Sequence, residues 1–150
     1  MIATIEEVRM VETDFYSSYN RIKSKFNYYD GYKNNCSNVV KKFLFETGVN
    51  VSKLSPYADT IRNLGSVKSN RMNLQAGDVV AMGRPGDTWH VGVYMGGSKV
   101  LHQSASRGYK VGIYNDLNAF LNHRAGFYYV RPSYPVRYIL HEHFVAPEIG

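Results

Sequence analysis

The sequence has one cysteine, Cys36, in 150 residues. A single thiol cannot close an intramolecular disulfide, and a zinc site of four cysteines is excluded by count, so the thiol is free or catalytic. Long apolar runs are absent as well. No segment reaches the roughly 18 apolar residues of a membrane span. The opening "MIATIEEVRM" lacks the basic start and apolar stretch of a secretory leader, so the expectation is a chain made in the cytoplasm without a signal for the general export route. Acidic residues are the minority, 12 against 18 Lys and Arg, for a net charge of +6. That balance favours anionic partners such as nucleic acid, membrane surfaces or a polyanionic cell wall. The basic residues are scattered, with Lys41 and Lys42 the densest pair, which argues against a nucleic-acid groove.

What is present suffices for one folded domain over residues 1–150: hydrophobic residues make up 44% and charged residues 20%, with no low-complexity tract, repeat or linker. Ile5, Val8, Val11, Phe15, Tyr19, Ile22 and Phe26 recur at steps of three or four, predicting an amphipathic helix over residues 4–26, with Thr4 and Glu7 as a capping box. A second helix is predicted from Cys36 to Thr47, with Asn35 as N-cap and Gly48 past its end. "SPYADTIRNLG" repeats that grammar, with Ser55 as cap, Pro56 at the first helical position and Gly65 as stop. Short strands follow in "DVVAM", "HVGVYM", "KVLHQS", "KVGIY" and "GFYYVRP", with a short helix at "DLNAFL" starting from Asn115 or Asp116. Helices followed by strands predict an α+β fold.

Cys36 falls at the first position of the second helix, where unpaired amides stabilise an anion and so lower a thiol's pKa. A thiolate nucleophile needs a base. Among five histidines, His123, His141 and His143 have no patterned context, whereas His90 and His102 lie on two segments that read as a hairpin. Strand side chains alternate faces, so the two histidines share a face only if the loop has an odd number of residues. A three-residue loop at Gly96, Gly97 and Ser98 would pair Met95 with Lys99 and Gly92 with His102, leaving His90 one diagonal step from His102; a two-residue loop would separate them. In the favourable register His102 can orient the His90 ring, the task of a third triad member.

"NNCSNVVKKFLFETGV", "LQAGDVVAM", "WHVGVYMGGSKVLHQSAS" and "GFYYVRP" together resemble the NlpC-type cysteine peptidases, papain-like enzymes that cut peptidoglycan stem peptides. The likeness covers about residues 28 to 131: Cys36 matches a cysteine that begins a helix, His90 the histidine of H-V-G-x-Y, and His102 a histidine about twelve positions later. It implies a papain-like fold with the helices packed on a small antiparallel sheet, and a catalytic set of Cys36, His90 and His102 with no metal or cofactor. Within the group, the asparagine before the cysteine and the compact size are most similar to amidase effectors of type VI secretion. Phage-tail peptidases of the superfamily can also lack a signal peptide, so they stay an alternative. The implied substrate is the γ-D-glutamyl–diaminopimelate bond. The implied partners are peptidoglycan stem peptides, a cognate immunity protein and components of the secretion machinery, with action in the periplasm of a target cell.

Departures from the family pattern are "CSNVV" in place of a small glycine after the serine, and a family tyrosine that maps to Tyr28, Tyr29 or Tyr32. Tyr28, Tyr32, Ser37, Trp89 and Ser104 are the candidate substrate contacts; Arg84 and Asp87 either line the groove or form a hairpin turn, and the "SASRG" loop over residues 104–108 is a second candidate rim. Asp78 reads as a strand-start residue, and "HEHF" is too sparse for a metal site. Two rivals stay open. An acyltransferase or transpeptidase would pass the same thioester to an amine or lipid, and a basic module with thirteen tyrosines would bind without catalysis.

Overall fold

Strand alternation fixes the architecture: in the strand Val79–Arg84, Val79 and Ala81 pack with one apolar cluster and Val80 with another, so the sheet is covered on both faces. The computed structural model describes residues 16–33 and 35–133. Helix α1 occupies residues 16–25 and α2 Cys36–Glu46. A 3-10 helix, Ala58–Leu64, leads into β1 (Gly65–Lys68), followed by β2 (Val79–Arg84), β3 (Asp87–Gly96), β4 (Lys99–Ser104), β5 (Lys110–Tyr114), α3 (Leu117–Leu121) and β6 (Phe127–Pro132). The six strands form one antiparallel sheet in the order β1-β6-β2-β3-β4-β5.

Helix α2 presents Val39, Val40, Phe43 and Leu44 to the larger cluster, each fully buried. Burial at about 1.5–3 kcal/mol per side chain anchors the helix on the sheet and fixes the position of its first residue, Cys36. Tyr19, Ile22 and Phe26 of the predicted first-helix stripe enter the same cluster. The part of that helix at residues 4–15 lies outside the described residues. On the other face, Leu117 and Phe120 of α3 pack on Val80, Val100 and Tyr129.

Two expectations are corrected here. The third helix begins at Ala58 rather than beside Pro56 and is of the tighter 3-10 kind. Ser55 Oγ accepts from the Tyr57 amide and Thr60 Oγ1 accepts from the Ser55 amide, so the turn residues bond locally before the helix starts. Gly65 does not end a helix in a left-handed cap but opens β1 in extended backbone, φ 172°. A Cβ there would lie 2.0 Å from the Arg131 carbonyl oxygen, so the glycine serves close approach of β1 to β6.

Candidate active site

The residues flanking Cys36 hold it at the start of α2. Asn35 caps the helix, its Oδ1 accepting from the Asn38 amide at 2.9 Å while its Nδ2 donates to the Pro56 carbonyl at 2.9 Å. Ser37 is 1% exposed and donates from Oγ to the Ser55 carbonyl at 3.2 Å. That placement corrects the expectation of Ser37 as a substrate contact, since its hydroxyl is spent tying α2 to the following segment. The thiol also differs from expectation. Burial pushes Cys36 above the ordinary thiol range, and hydrogen bonds from the backbone of Val91, Ser37 and Cys36 itself offset this only in part. The helix-start amides act in the expected direction; desolvation outweighs them.

His90 and His102 meet through a hairpin with an unexpected construction. The turn has two residues, Gly97 and Ser98, both with positive φ (56° and 66°), between the paired Gly96 and Lys99. The register then shifts between Tyr94 and Gly96, leaving Met95 as an extra residue, so that Tyr94 pairs with Val100 and Val93 with Leu101. This bulge restores the odd count that places both histidines on one face. Gly92 sits against β4, where an added Cβ would come within 2.5 Å of Val100 Cγ1 and 3.0 Å of His102 Cβ. Gly92→Ala is therefore expected to destabilise the protein by about 1–3 kcal/mol, read as a lowered urea midpoint, and to displace His102.

The histidines belong to a longer chain of hydrogen bonds. His90 Nε2 lies 2.8 Å from His102 Nδ1, and His102 Nε2 lies 2.9 Å from Asp116 Oδ2. Arg107 donates to Asp116 Oδ2 at 2.7 Å and to Oδ1 at 3.1 Å. These contacts assign the protons. The Arg107 guanidinium, aided by His102, holds the Asp116 carboxyl below the usual range, so it is an acceptor only and His102 Nε2 carries the hydrogen. Burial keeps His102 neutral, making its Nδ1 an acceptor, and His90 must then donate from Nε2. The lone pair of His90 is left on Nδ1.

Burial, with His102 and His123 nearby, pushes His90 down to about 3. The unfolded chain takes up this proton near 6.5, so between there and about 3 the unfolded state binds more protons and stability is lost as the pH is lowered. The slope from this group is at most about 1.4 kcal/mol per pH unit, and it vanishes above the unfolded value. Urea titrations across this range are expected to show that slope in the wild type and a flatter one in His90→Asn.

Cys36, His90, His102 and Asp116 all line one cleft of about 440 Å³. Trp89 and Ser104 also line it, as their candidacy required, together with Ser106 of the predicted rim loop. Tyr28 and Tyr32 do not; both are exposed, and Tyr28 enters the site only through its carbonyl, which accepts from Gln103 Nε2 at 3.0 Å. Of the three candidate tyrosines, Tyr29 is the one that lines the cleft. Arg84 and Asp87 pair across the β2–β3 turn and stay outside the cleft. Asp78 ion-pairs with Arg131. The histidines of "HEHF" lie outside the described residues, and among the described residues no group of three or more His, Cys, Asp or Glu is placed to hold a metal ion. No described helix is long and apolar enough to cross a membrane.

Residues 23–117, well over half of the chain, match the NlpC/P60 family. The chain belongs to the NlpC/P60 family. Its members are typically cysteine peptidases or amidases. The NlpC/P60 domain of the peptidoglycan hydrolase SagA is similar in fold, with a TM-score of 0.53 at 22% identity over 76% of this chain and 96% of that one. An NLP/P60-family protein described as similar to lipoprotein, from Staphylococcus aureus subsp. aureus Mu50, gives 0.55 at 18% identity over 87% of this chain and 43% of that one. No curated protein matches. The α+β, papain-like fold expected from the sequence is the NlpC/P60 fold.

Proposed function

We propose that this protein is a cysteine endopeptidase or amidase that hydrolyses peptidoglycan stem peptides, at the γ-D-glutamyl–diaminopimelate bond. The observation that carries the reading is the hydrogen-bonded chain from Arg107 through Asp116 and His102 to His90, in the cleft that holds the lone thiol. In the reaction, His90 Nδ1 takes the Cys36 proton as sulfur attacks the amide carbon, and the C–N bond breaks as the same proton passes to the leaving amine. Water, deprotonated by His90, then cleaves the thioester and regenerates the thiol. The Cys36 backbone amide at the helix start would stabilise the oxyanion, at about 3 kcal/mol per donor in comparable hydrolases.

Digestion of purified sacculi followed by mass spectrometry of the soluble fragments tests this. The expected products are disaccharide dipeptides and free peptides beginning with diaminopimelate; products cut at another bond would overturn the assigned specificity. Delivery as an interbacterial toxin through type VI secretion is part of the proposal, supported by the Asn35–Cys36 context and the compact size; the net charge of +6 suits an anionic wall. In that role it acts in a target periplasm and is countered by a cognate immunity protein. Targeting it to the periplasm of a Gram-negative host is expected to cause lysis that cytoplasmic expression does not, and equal tolerance of both would remove the toxin reading.

A further inference from the structure

Tyr109 is the one residue of the cleft with a side chain in the left-handed backbone region, at φ 64°. For a bulky side chain this conformation is disfavoured, and it persists only where the surroundings impose it. Two contacts impose it here. The Tyr109 amide donates to the Ser104 carbonyl at 2.8 Å, closing the connection between β4 and β5 after the left-handed Gly108. The Tyr109 ring stacks on Tyr29, with centroids 4.4 Å apart and planes 14° from parallel.

Tyr29 comes from the segment between α1 and α2, a different part of the chain. That segment is already tied to β4 at its base, where the fully buried Gln103 donates from Nε2 to the carbonyls of Tyr28 (3.0 Å) and Phe26 (3.4 Å). The stacked rings, both lining the cleft and both partly exposed (50% for Tyr29, 38% for Tyr109), join the two segments a second time at the cleft. Elsewhere on the rim, Trp89 of β3 is 51% exposed, with His123 at its edge and Arg124 over its face.

We propose that Tyr109 is a specificity-determining residue, held in its left-handed conformation so that with Tyr29 it walls one side of the cleft and limits the length of peptide that reaches the thiol. The proposal deepens the peptidase reading, since the wall meets an extended chain whose scissile bond lies at Cys36. Short, unbranched stem peptides fit within it; a peptide that continues past the wall, as in cross-linked stems, is excluded.

The test separates the wall from the peptidase reading by using the thiol itself. Cys36 is the only cysteine, so alkylation reports on it without ambiguity. The probes are iodoacetamide and an iodoacetylated hexapeptide, applied to wild type, Tyr109→Gly, Tyr109→Phe and Tyr29→Ala. Glycine relieves the left-handed backbone while removing the ring, so Tyr109→Gly is expected to melt no lower than wild type and to lower the small-to-large reagent rate ratio about fivefold. Tyr29→Ala, whose backbone is unaltered, is expected to lower the ratio likewise, and Tyr109→Phe to leave it unchanged. A ratio that stays the same in Tyr109→Gly and Tyr29→Ala overturns the proposal, including the case in which both reagents speed up equally because the cleft has loosened. On sacculi, both wall variants are expected to release more cross-linked peptide relative to monomeric peptide. If the wild type cleaves no peptide while the alkylation ratio shifts as stated, the peptidase reading falls and the wall stands.

Discussion

Cys36→Ala is expected to abolish hydrolysis of stem peptides, lowering kcat by about 10⁴-fold or more, because removal of a covalent nucleophile disables the histidines that act with it. The fold should survive. Cys36 is only partly buried and packs at the edge of the larger core, while the cap of α2 is supplied by Asn35 and its anchorage by Val39, Val40, Phe43 and Leu44. The loss of Sγ is thus expected to shift stability by less than about 1 kcal/mol. Muropeptide release and thermal melting followed on the same preparation check both halves. Wild-type release by the alanine variant would refute the proposed chemistry, and sacculus binding retained with cleavage lost would set aside the reading of a pure binding module. The raised thiol pKa adds a second observable. Since the resting pair is a neutral thiol beside a neutral imidazole, iodoacetamide labelling of Cys36 should accelerate through the alkaline range. A preformed thiolate would instead give a plateau from mildly acidic pH.

Much of this site was legible because its signals are local. Asn35 before Cys36 predicts a capped helix start, and capping is settled within a turn. The strand segments were legible for the same reason, since alternation and Gly-rich turns mark them directly. The relation of His90 to His102 was reached with the right outcome and a different device: a two-residue turn and a bulge at Met95 in place of a three-residue loop. Nothing in a run such as "YMGGSKV" states whether its odd residue goes into the loop or the strand. Strand β1 was missed because Gly65 carries the signature of a helix stop, while its actual cause, the approach of Arg131, lies far along the chain. Ser37 and Tyr29 show the same limit. The sequence put Ser37 in the first helical turn and left Tyr28, Tyr29 and Tyr32 as equal matches to a family tyrosine, but which side chain lines the cleft is decided by the Ser55 carbonyl and by the stack on Tyr109. Asp116 was concealed by a competing local explanation. It reads as the N-cap of α3 and does occupy that position, yet its carboxylate makes no cap hydrogen bond and turns to His102 and Arg107 instead.

That diversion makes Asp116→Asn the most discriminating substitution outside the thiol. Arg107 can only donate, so an asparagine would turn its oxygen to the guanidinium and its amide NH₂ to His102 Nε2. His102 Nε2 must then accept, which moves its hydrogen to Nδ1 and points it at His90 Nε2. His90 in turn accepts at Nε2 and carries its hydrogen on Nδ1, the nitrogen that should take the proton from Cys36. Each ring keeps its place while every proton is on the wrong atom. An Asp→Asn change directly beside the catalytic histidine of a serine protease costs about 10⁴ in kcat; acting here through two imidazoles, it is expected to cost about 10²–10³ in kcat with little change in KM. Asp116→Ala has no NH₂ to impose the wrong tautomer, so despite losing both the ion pair and the hydrogen bond it should retain more activity than the asparagine variant. A purely structural role for Asp116 predicts the opposite order, because asparagine is the closer replacement. Nitrogen-15 spectra of the histidine rings read the tautomers directly: His90 is expected to be protonated on Nε2 in the wild type and on Nδ1 in Asp116→Asn, and an unchanged tautomer accompanied by a large kcat loss would show that the carboxylate acts by some route other than setting the protons of His102 and His90.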